Sequence, residues 1–166
     1  MARDQYYWDS NAFSGHLNDE ADKVAECEPV LKEGEKGHIL LVTSALTIAE
    51  VLFIRPGGPK LPPEKREAVE RFFKADYITV RNVTRATAEL ARDVFWDHGI
   101  KPKDAIHVAT ACLFNIPVLH TFDGDLLSKS GIVVDGHTLR IEKPHIPHQL
   151  ELTDDKLQEQ NGDEPD

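Results

Sequence analysis

The sequence predicts an α/β domain built on a mainly parallel sheet, and three observations lead there. Apolar runs of strand length recur along the chain, helical stretches of ten or more residues separate them, and Gly, Pro and capping residues mark the junctions. Strands separated in this way pair in parallel through right-handed crossovers, which cover both faces of the sheet. With 166 residues, 40% of them hydrophobic, the chain has material for one compact core.

"QYYWDS" reads as the first strand, followed by a polar helical stretch, "NAFSGHLNDEADKVAECEPVLKEGEKG", that breaks at Gly34 and Gly37. "HILLVTS" is a second strand, with Thr43 or Ser44 placed to cap the helix "ALTIAEVLFI", which stops before Pro56. The prolines at 62 and 63 open "EKREAVERFFKA", where proline suits a first helical turn. "YITVRN" is a third strand. Thr84 caps "RATAELARDVFWDH", Gly99 closes it, and "KDAIHVATACLFN" runs as a helix to the neighbourhood of Pro117. "PVLHTFD" is a fourth strand, and "GIVVDG" or "HTLRIEK" supplies a fifth. The domain is expected over residues 1–143. From Pro144 to Asp166 the prolines, scarce apolar residues and acidic run predict a disordered tail.

No apolar run approaches the roughly 18 to 20 residues that span a bilayer, and "MARDQYYWDS" lacks the apolar stretch of a signal peptide, so the expectation is a cytoplasmic protein without membrane contact. Cys27 and Cys112 have no metal-site spacing, and Cys112 falls in an apolar helical pattern, so a buried free thiol is expected there and no disulfide. The net charge of -10 argues against a nucleic-acid partner until its distribution is considered. Residues 151–166 carry seven acids and one lysine, whereas Arg55 to Lys103 holds eleven Lys or Arg against seven Asp or Glu. That basic stretch is either a set of solvated helix faces or a phosphate-facing surface.

In open α/β sheets ligands bind beyond the carboxyl ends of the strands. Asp9 ends the first strand and Asp123 the fourth, each a turn residue or helix cap when taken alone. Glu50 and Thr47 are the only polar members of their helix, and Glu50 has Leu46 and Phe53 on its face, where an ionised carboxylate needs either a paired arginine or a cation. Asp104 falls in a first helical turn, favoured there by the helix dipole, and at the same edge of the sheet as the strand ends. His107 either faces that cleft or is a satisfied histidine beneath the helix, and Asp125 is either a further ligand or a first-turn carboxylate. Four carboxylates converging on one cleft repel one another and raise their own pKa values unless a divalent cation is present. Oxygen ligands without a Cys or His pattern suit Mg²⁺ or Mn²⁺, and such a site is suited to phosphodiester hydrolysis.

The stretches "WDSNAF", "LLVTSALTIAEVL", "KPKDAIHVATA" and "VLHTFDGDLL" resemble, in order and separation, the motifs of the PIN-domain nucleases, in particular the VapC-type toxins, over about residues 5–142. The family's acidic positions fall on Asp9, Glu50, Asp104 and Asp123, and its Ser or Thr before the last acid falls on Thr121. The resemblance implies a three-layer α/β/α sandwich with a mainly parallel sheet and a Mg²⁺- or Mn²⁺-dependent endoribonuclease acting on RNA. It also implies a homodimer and a cognate antitoxin that blocks the cleft. On that pattern Asp9, Asp104 and Asp123 hold the metal, and Glu50 joins them directly or through water. Thr121 and Asn11 orient carboxylates or water, with Asp125 beside them and Ser10 a lesser helper. Arg55, Arg81, Arg85 and Lys103 are candidates to steer phosphates. Receiver-like and haloacid-dehalogenase-like readings leave Glu50 without a role. The alternative from another class is a PIN-like module that binds RNA or protein without cleaving.

Overall fold

The computed structural model describes residues 2–51 and 59–147. Strand β1 (Asp4–Trp8) is followed by helices α1 (Ser10–Leu17) and α2 (Ala21–Glu35), then by strand β2 (Ile39–Ser44) and helix α3 (Ala45–Val51). Helix α4 (Pro63–Phe72), strand β3 (Ile78–Arg81), helix α5 (Arg85–His98) and helix α6 (Pro102–Leu113) come next. Strand β4 (Val118–His120), helix α7 (Gly124–Leu127), strand β5 (Ile132–Val134) and strand β6 (His137–Glu142) complete the described chain. The sheet order is β3-β2-β1-β4-β6-β5, with every pairing parallel except that of β5 with β6.

Alternation along the strands divides the core into two layers. Tyr7, Val42 and Leu119 pack with α5, α6 and α7 on one face. Tyr6, Trp8, Leu41 and Val118 pack with α1 and α2 on the other, where Phe72 and Phe73 also lie against them. Because successive side chains of a strand point to opposite faces, the run "YYW" feeds both layers at once. The result is a three-layer α/β/α sandwich, and both cysteines are buried free thiols within it.

Several elements depart from the pattern read in the sequence. The polar stretch after β1 is two helices rather than one. Asp19 breaks it with φ 55°, and Asn18 N–H closes α1 on Ser14 O. The second helix runs through Pro29, as read, and also past Gly34 to Glu35, because burial of Cys27, Val30 and Leu31 outweighs the poor helix propensity of glycine. Ser44, and not Thr43, caps α3: its Oγ accepts from Leu46 N–H at 3.1 Å, while Thr43 donates to Trp8 O at 2.7 Å. The two candidates for a last strand are both strands, forming an antiparallel hairpin at the sheet edge. The Thr84 cap is a full capping box with Thr87, and Gly99 ends α5 at φ 67°, a left-handed conformation that glycine adopts without strain.

Pro144 and Ile146 are buried, so packing extends into the stretch expected to be a tail. Residues 148–166, Arg55 and the end of the helix expected over 45–54 lie outside the described residues.

Gly34 marks a close approach. A Cβ there would meet Tyr77 Cδ2 at 2.6 Å and Cγ at 3.0 Å, near the rigid base of the ring. Overpacking costs about 1–3 kcal/mol, against about 1 kcal/mol that alanine gains over glycine in a helix. Gly34→Ala should therefore lower stability by up to about 2 kcal/mol, read from the urea midpoint. A higher midpoint would show that Tyr77 yields.

Candidate active site

The strand order reverses beside β1: β2 and β3 follow on one side, β4 and β6 on the other. Such a switch point opens a crevice at the strand carboxyl ends, because the two flanking connections leave in opposite directions. Asp9 and Thr121 stand at this crevice, each one residue beyond its strand.

Asp9 is only 2% exposed. Its Oδ1 accepts from Ala12 N–H at 2.9 Å, capping α1, and its Oδ2 accepts from Thr121 Oγ1 at 2.6 Å. Thr121 Oγ1 in turn accepts from Asp123 N–H at 3.1 Å, so one hydroxyl ties the first acid to the backbone of the last. Asp123 caps α7 by accepting from Leu126 N–H at 3.0 Å. Asp104 lies in the first turn of α6, as its sequence position suggests.

Glu50 pairs with a histidine, not the arginine considered in the sequence. His107 Nε2 lies 3.1 Å from Glu50 Oε1, and His107 Nδ1 lies 2.7 Å from Tyr7 Oη. Neither Tyr7 nor a defined role for His107 was legible beforehand; the usable signal was a tyrosine two residues before Asp9 and a histidine three after Asp104.

The acids act on one another electrostatically. Burial pushes the Asp9 carboxyl up to about 6, against the opposing pull of His107, Thr121 and the Ala12 amide, while the Asp104 charge pushes the same way as burial. Burial also raises Asp104, and the charges of Asp123 and Glu50 add to it. Glu50 is lowered instead, chiefly by its hydrogen bond to His107, with Lys103 and Ser10 also contributing. Like charges that raise one another's pKa are what a divalent cation relieves, and the oxygen donors suit Mg²⁺ or Mn²⁺. Each Asp9 oxygen accepts one hydrogen bond and retains a second lone pair. Among the described residues, no three of the four acids bring their carboxylate oxygens within 4.8 Å of one another.

The remaining predicted residues fall around this cluster. Asn11 Oδ1 accepts from Phe122 N–H at 3.1 Å, joining α1 to the loop after β4 and engaging no carboxylate through that oxygen. Asp125 points to solvent, with Lys101 Nζ 4.0 Å away, and lines a cavity of about 180 Å³ together with Asp104, Lys101 and Leu126. Arg85 pairs with Glu89, and Arg81 stacks over Phe114 at 4.3 Å.

Among the described residues, the trio His120, Glu142 and His145 does gather ligand atoms within 4.8 Å. Its chemistry excludes ligation by His120 as placed. Trp8 Nε1–H donates to His120 Nδ1 at 2.9 Å, so the neutral ring carries its proton on Nε2, the atom that would face an ion. Burial holds this imidazole neutral by lowering its pKa to about 3.

A family model described as "PIN domain" matches residues 6–131. The chain belongs to the PIN-domain family. Among solved structures it is similar to the Mycobacterium tuberculosis toxin VapC20, described as cleaving the sarcin-ricin loop, with a TM-score of 0.57 and 17% identity. That likeness covers 74% of this chain and 93% of VapC20, and at such identity it speaks for the PIN fold alone. None of the curated proteins matches the sequence. No described helix is long and apolar enough to cross a membrane.

The Asp9 shift has a stability consequence with a definite sign. A carboxyl whose folded pKa is about 6 rather than 3.8 binds its proton more tightly when folded, so its contribution is present at acid pH and is lost as pH rises through 4 to 6. About two pKa units correspond to about 3 kcal/mol. His120 works in the opposite direction over much of the same range, since its lowered pKa removes stability as pH falls. A difference measurement isolates Asp9: in EDTA, Asp9→Asn should gain on the parent protein from pH 4 to pH 7, by up to about 3 kcal/mol in urea unfolding. A gap that stays constant with pH would contradict the shift.

Proposed function

We propose that this PIN-domain protein is a Mg²⁺- or Mn²⁺-dependent endoribonuclease that hydrolyses RNA phosphodiester bonds in the cytoplasm. We further propose that it is the toxin of a type II toxin-antitoxin pair, working as a homodimer that a cognate antitoxin blocks. The observation that carries the reading is the buried Asp9 at the β1–β4 switch point, tied by Thr121 to Asp123 and raised in pKa by burial and by Asp104. A structural carboxylate in that position would gain stability from a paired cation of the chain. The described ion pairs give Asp9 none, while its backbone and hydroxyl partners leave one lone pair on each oxygen without a bond.

In this reading Asp9, Asp104 and Asp123 hold the ion, and Glu50 joins them directly or through water. The divalent cation supplies a more acidic water and offsets the charge that develops on phosphate. The chain's own contribution is orientation. Thr121 and the Ala12 amide fix the Asp9 carboxylate, and the Leu126 amide does the same for Asp123. Lys101 and Lys103 act electrostatically on Asp104 and Glu50, respectively, and are placed to attract the phosphate backbone. Asp125, exposed at the rim of the cavity beside Asp104, is a peripheral member of this set.

Two measurements test the proposal. Calorimetric titration with Mn²⁺ should show binding that Asp9→Asn and Asp104→Asn each weaken at least about tenfold, since each removes a charged ligand from a site under like-charge strain. Single-stranded RNA should be cleaved with Mg²⁺ or Mn²⁺ and left intact with EDTA, and Asp9→Asn should lower the rate by about 100-fold or more, in keeping with loss of electrostatic transition-state stabilisation. Mn²⁺-dependent cleavage that survives Asp9→Asn would refute the site assignment. Absence of metal binding would favour a non-cleaving binding module.

A further inference from the structure

Tyr7 and His107 are both buried beside the acids, with exposures of 0% and 1%. The histidine ring sits between the tyrosine hydroxyl, 2.7 Å from Nδ1, and the Glu50 carboxylate, 3.1 Å from Nε2. Acceptor chemistry gives this chain a direction. An ionised carboxylate can only accept, so Nε2 carries the ring proton. In the neutral ring Nδ1 then offers its lone pair to the Tyr7 O–H.

The placement of the two residues repeats that of the acids. Tyr7 is two residues before Asp9, on the same face of the strand, and His107 is three after Asp104, on the same face of α6. The hydrogen-bonded pair therefore reaches the acid on α3 from β1, which leads into Asp9, and from α6, which carries Asp104. A histidine that merely filled the core would be satisfied by any polar neighbour. This one is bonded on both nitrogens, and its outer bond goes to a carboxylate of the site.

We propose that Tyr7 and His107 form a directed hydrogen-bond chain that positions the Glu50 carboxylate at the acid cleft, which makes both of them positioning residues of the metal site. The proposal rests on the nuclease reading for Glu50's role as a metal ligand, and on geometry for the chain itself. Ser10, at the start of α1, also favours the ionised form of Glu50. Fixing the ring by its second nitrogen is how a protein holds a histidine and the group it contacts in one orientation, and loss of such an outer partner typically costs 10- to 100-fold in metal affinity.

Two readouts test it. In ¹⁵N-histidine-labelled protein with Mg²⁺, His107 Nε2 should carry a proton shared with Glu50, and an unprotonated Nε2 overturns the chain. In calorimetric titrations with Mn²⁺, Tyr7→Phe and His107→Leu should each weaken binding about tenfold, whereas His107→Gln, whose amide can still donate to Glu50, should stay within about threefold of the parent. Tyr7→Phe is nearly isosteric, so it keeps the test open if His107→Leu does not fold. Parent-like Mn²⁺ affinity in both Tyr7→Phe and His107→Leu overturns the proposal. If the parent protein and Asp9→Asn bind Mn²⁺ equally poorly, the nuclease reading fails instead, and the proton on His107 Nε2 alone decides the chain.

Discussion

A carboxylate that is 2% exposed needs hydrogen bonds if it is to stay ionised, and the local architecture around Asp9 follows from that requirement. The Ala12 amide is available because α1 begins at once after β1, with Asp9 as its cap. The Thr121 hydroxyl is available because β4 lies beside β1 and ends in register with it, Trp8 opposite His120. Asp9 N–H also reaches His120 O at 3.4 Å. The Thr121–Asp9 bond thus depends on the strand order, and the strand order places the crevice there. Even so satisfied, the carboxyl remains raised to about 6, because two neutral donors do not offset burial beside a second acid.

Strand β1 treats its two faces in parallel ways. Tyr7 engages His107 in the layer of α5 and α6, and Trp8 engages His120 in the layer of α1 and α2. Trp8 N–H supplies the proton to His120 Nδ1, which leaves Nε2–H pointing outward, and the Glu50 carboxylate likewise calls for a proton on His107 Nε2. The outcomes differ with what lies beyond. His107 meets Glu50, whereas the buried Nε2 of His120 has no hydrogen-bond partner among the described residues, with Glu142 and His145 nearby. The same tautomer that suits His107 to hold a carboxylate bars His120, as placed, from ligating a metal. Proximity of ligand-type residues is therefore a weaker guide than the proton each nitrogen must carry.

The parallel sheet, the two-sided core and most element positions could be read from the sequence because hydrophobic period and capping residues act locally. Thr84, Gly99 and the paired prolines at 62 and 63 mark helix ends wherever they occur. What escaped were outcomes of tertiary packing. Gly34 looks like a helix breaker, but the apolar face around it is buried and the helix persists to Glu35. The edge hairpin of β5 and β6 was ambiguous because neither run is long enough to be decisive alone. At the site, the acids were legible one by one from their places after strands or in first turns. The partner of Glu50 was not, since Tyr7, Glu50 and His107 are distant in sequence and meet only through the crossover geometry.

The same distinction bears on how an acidic chain would handle RNA in the proposed function. Arg85 is paired with Glu89, and Arg81 and Arg92 lie over Phe114 and Trp96. Lys101 and Lys103 are the cations whose charges act on the acids of the cleft. Among the described residues, two lysines beside four carboxylates leave net negative charge, so phosphate would be repelled without a bound cation. A divalent cation changes the sign of that argument, since it relieves the carboxylates and presents positive charge where the phosphate must sit. Metal binding and RNA binding at this crevice would then be linked, and the basic stretch would guide the strand toward a site that becomes attractive only once loaded.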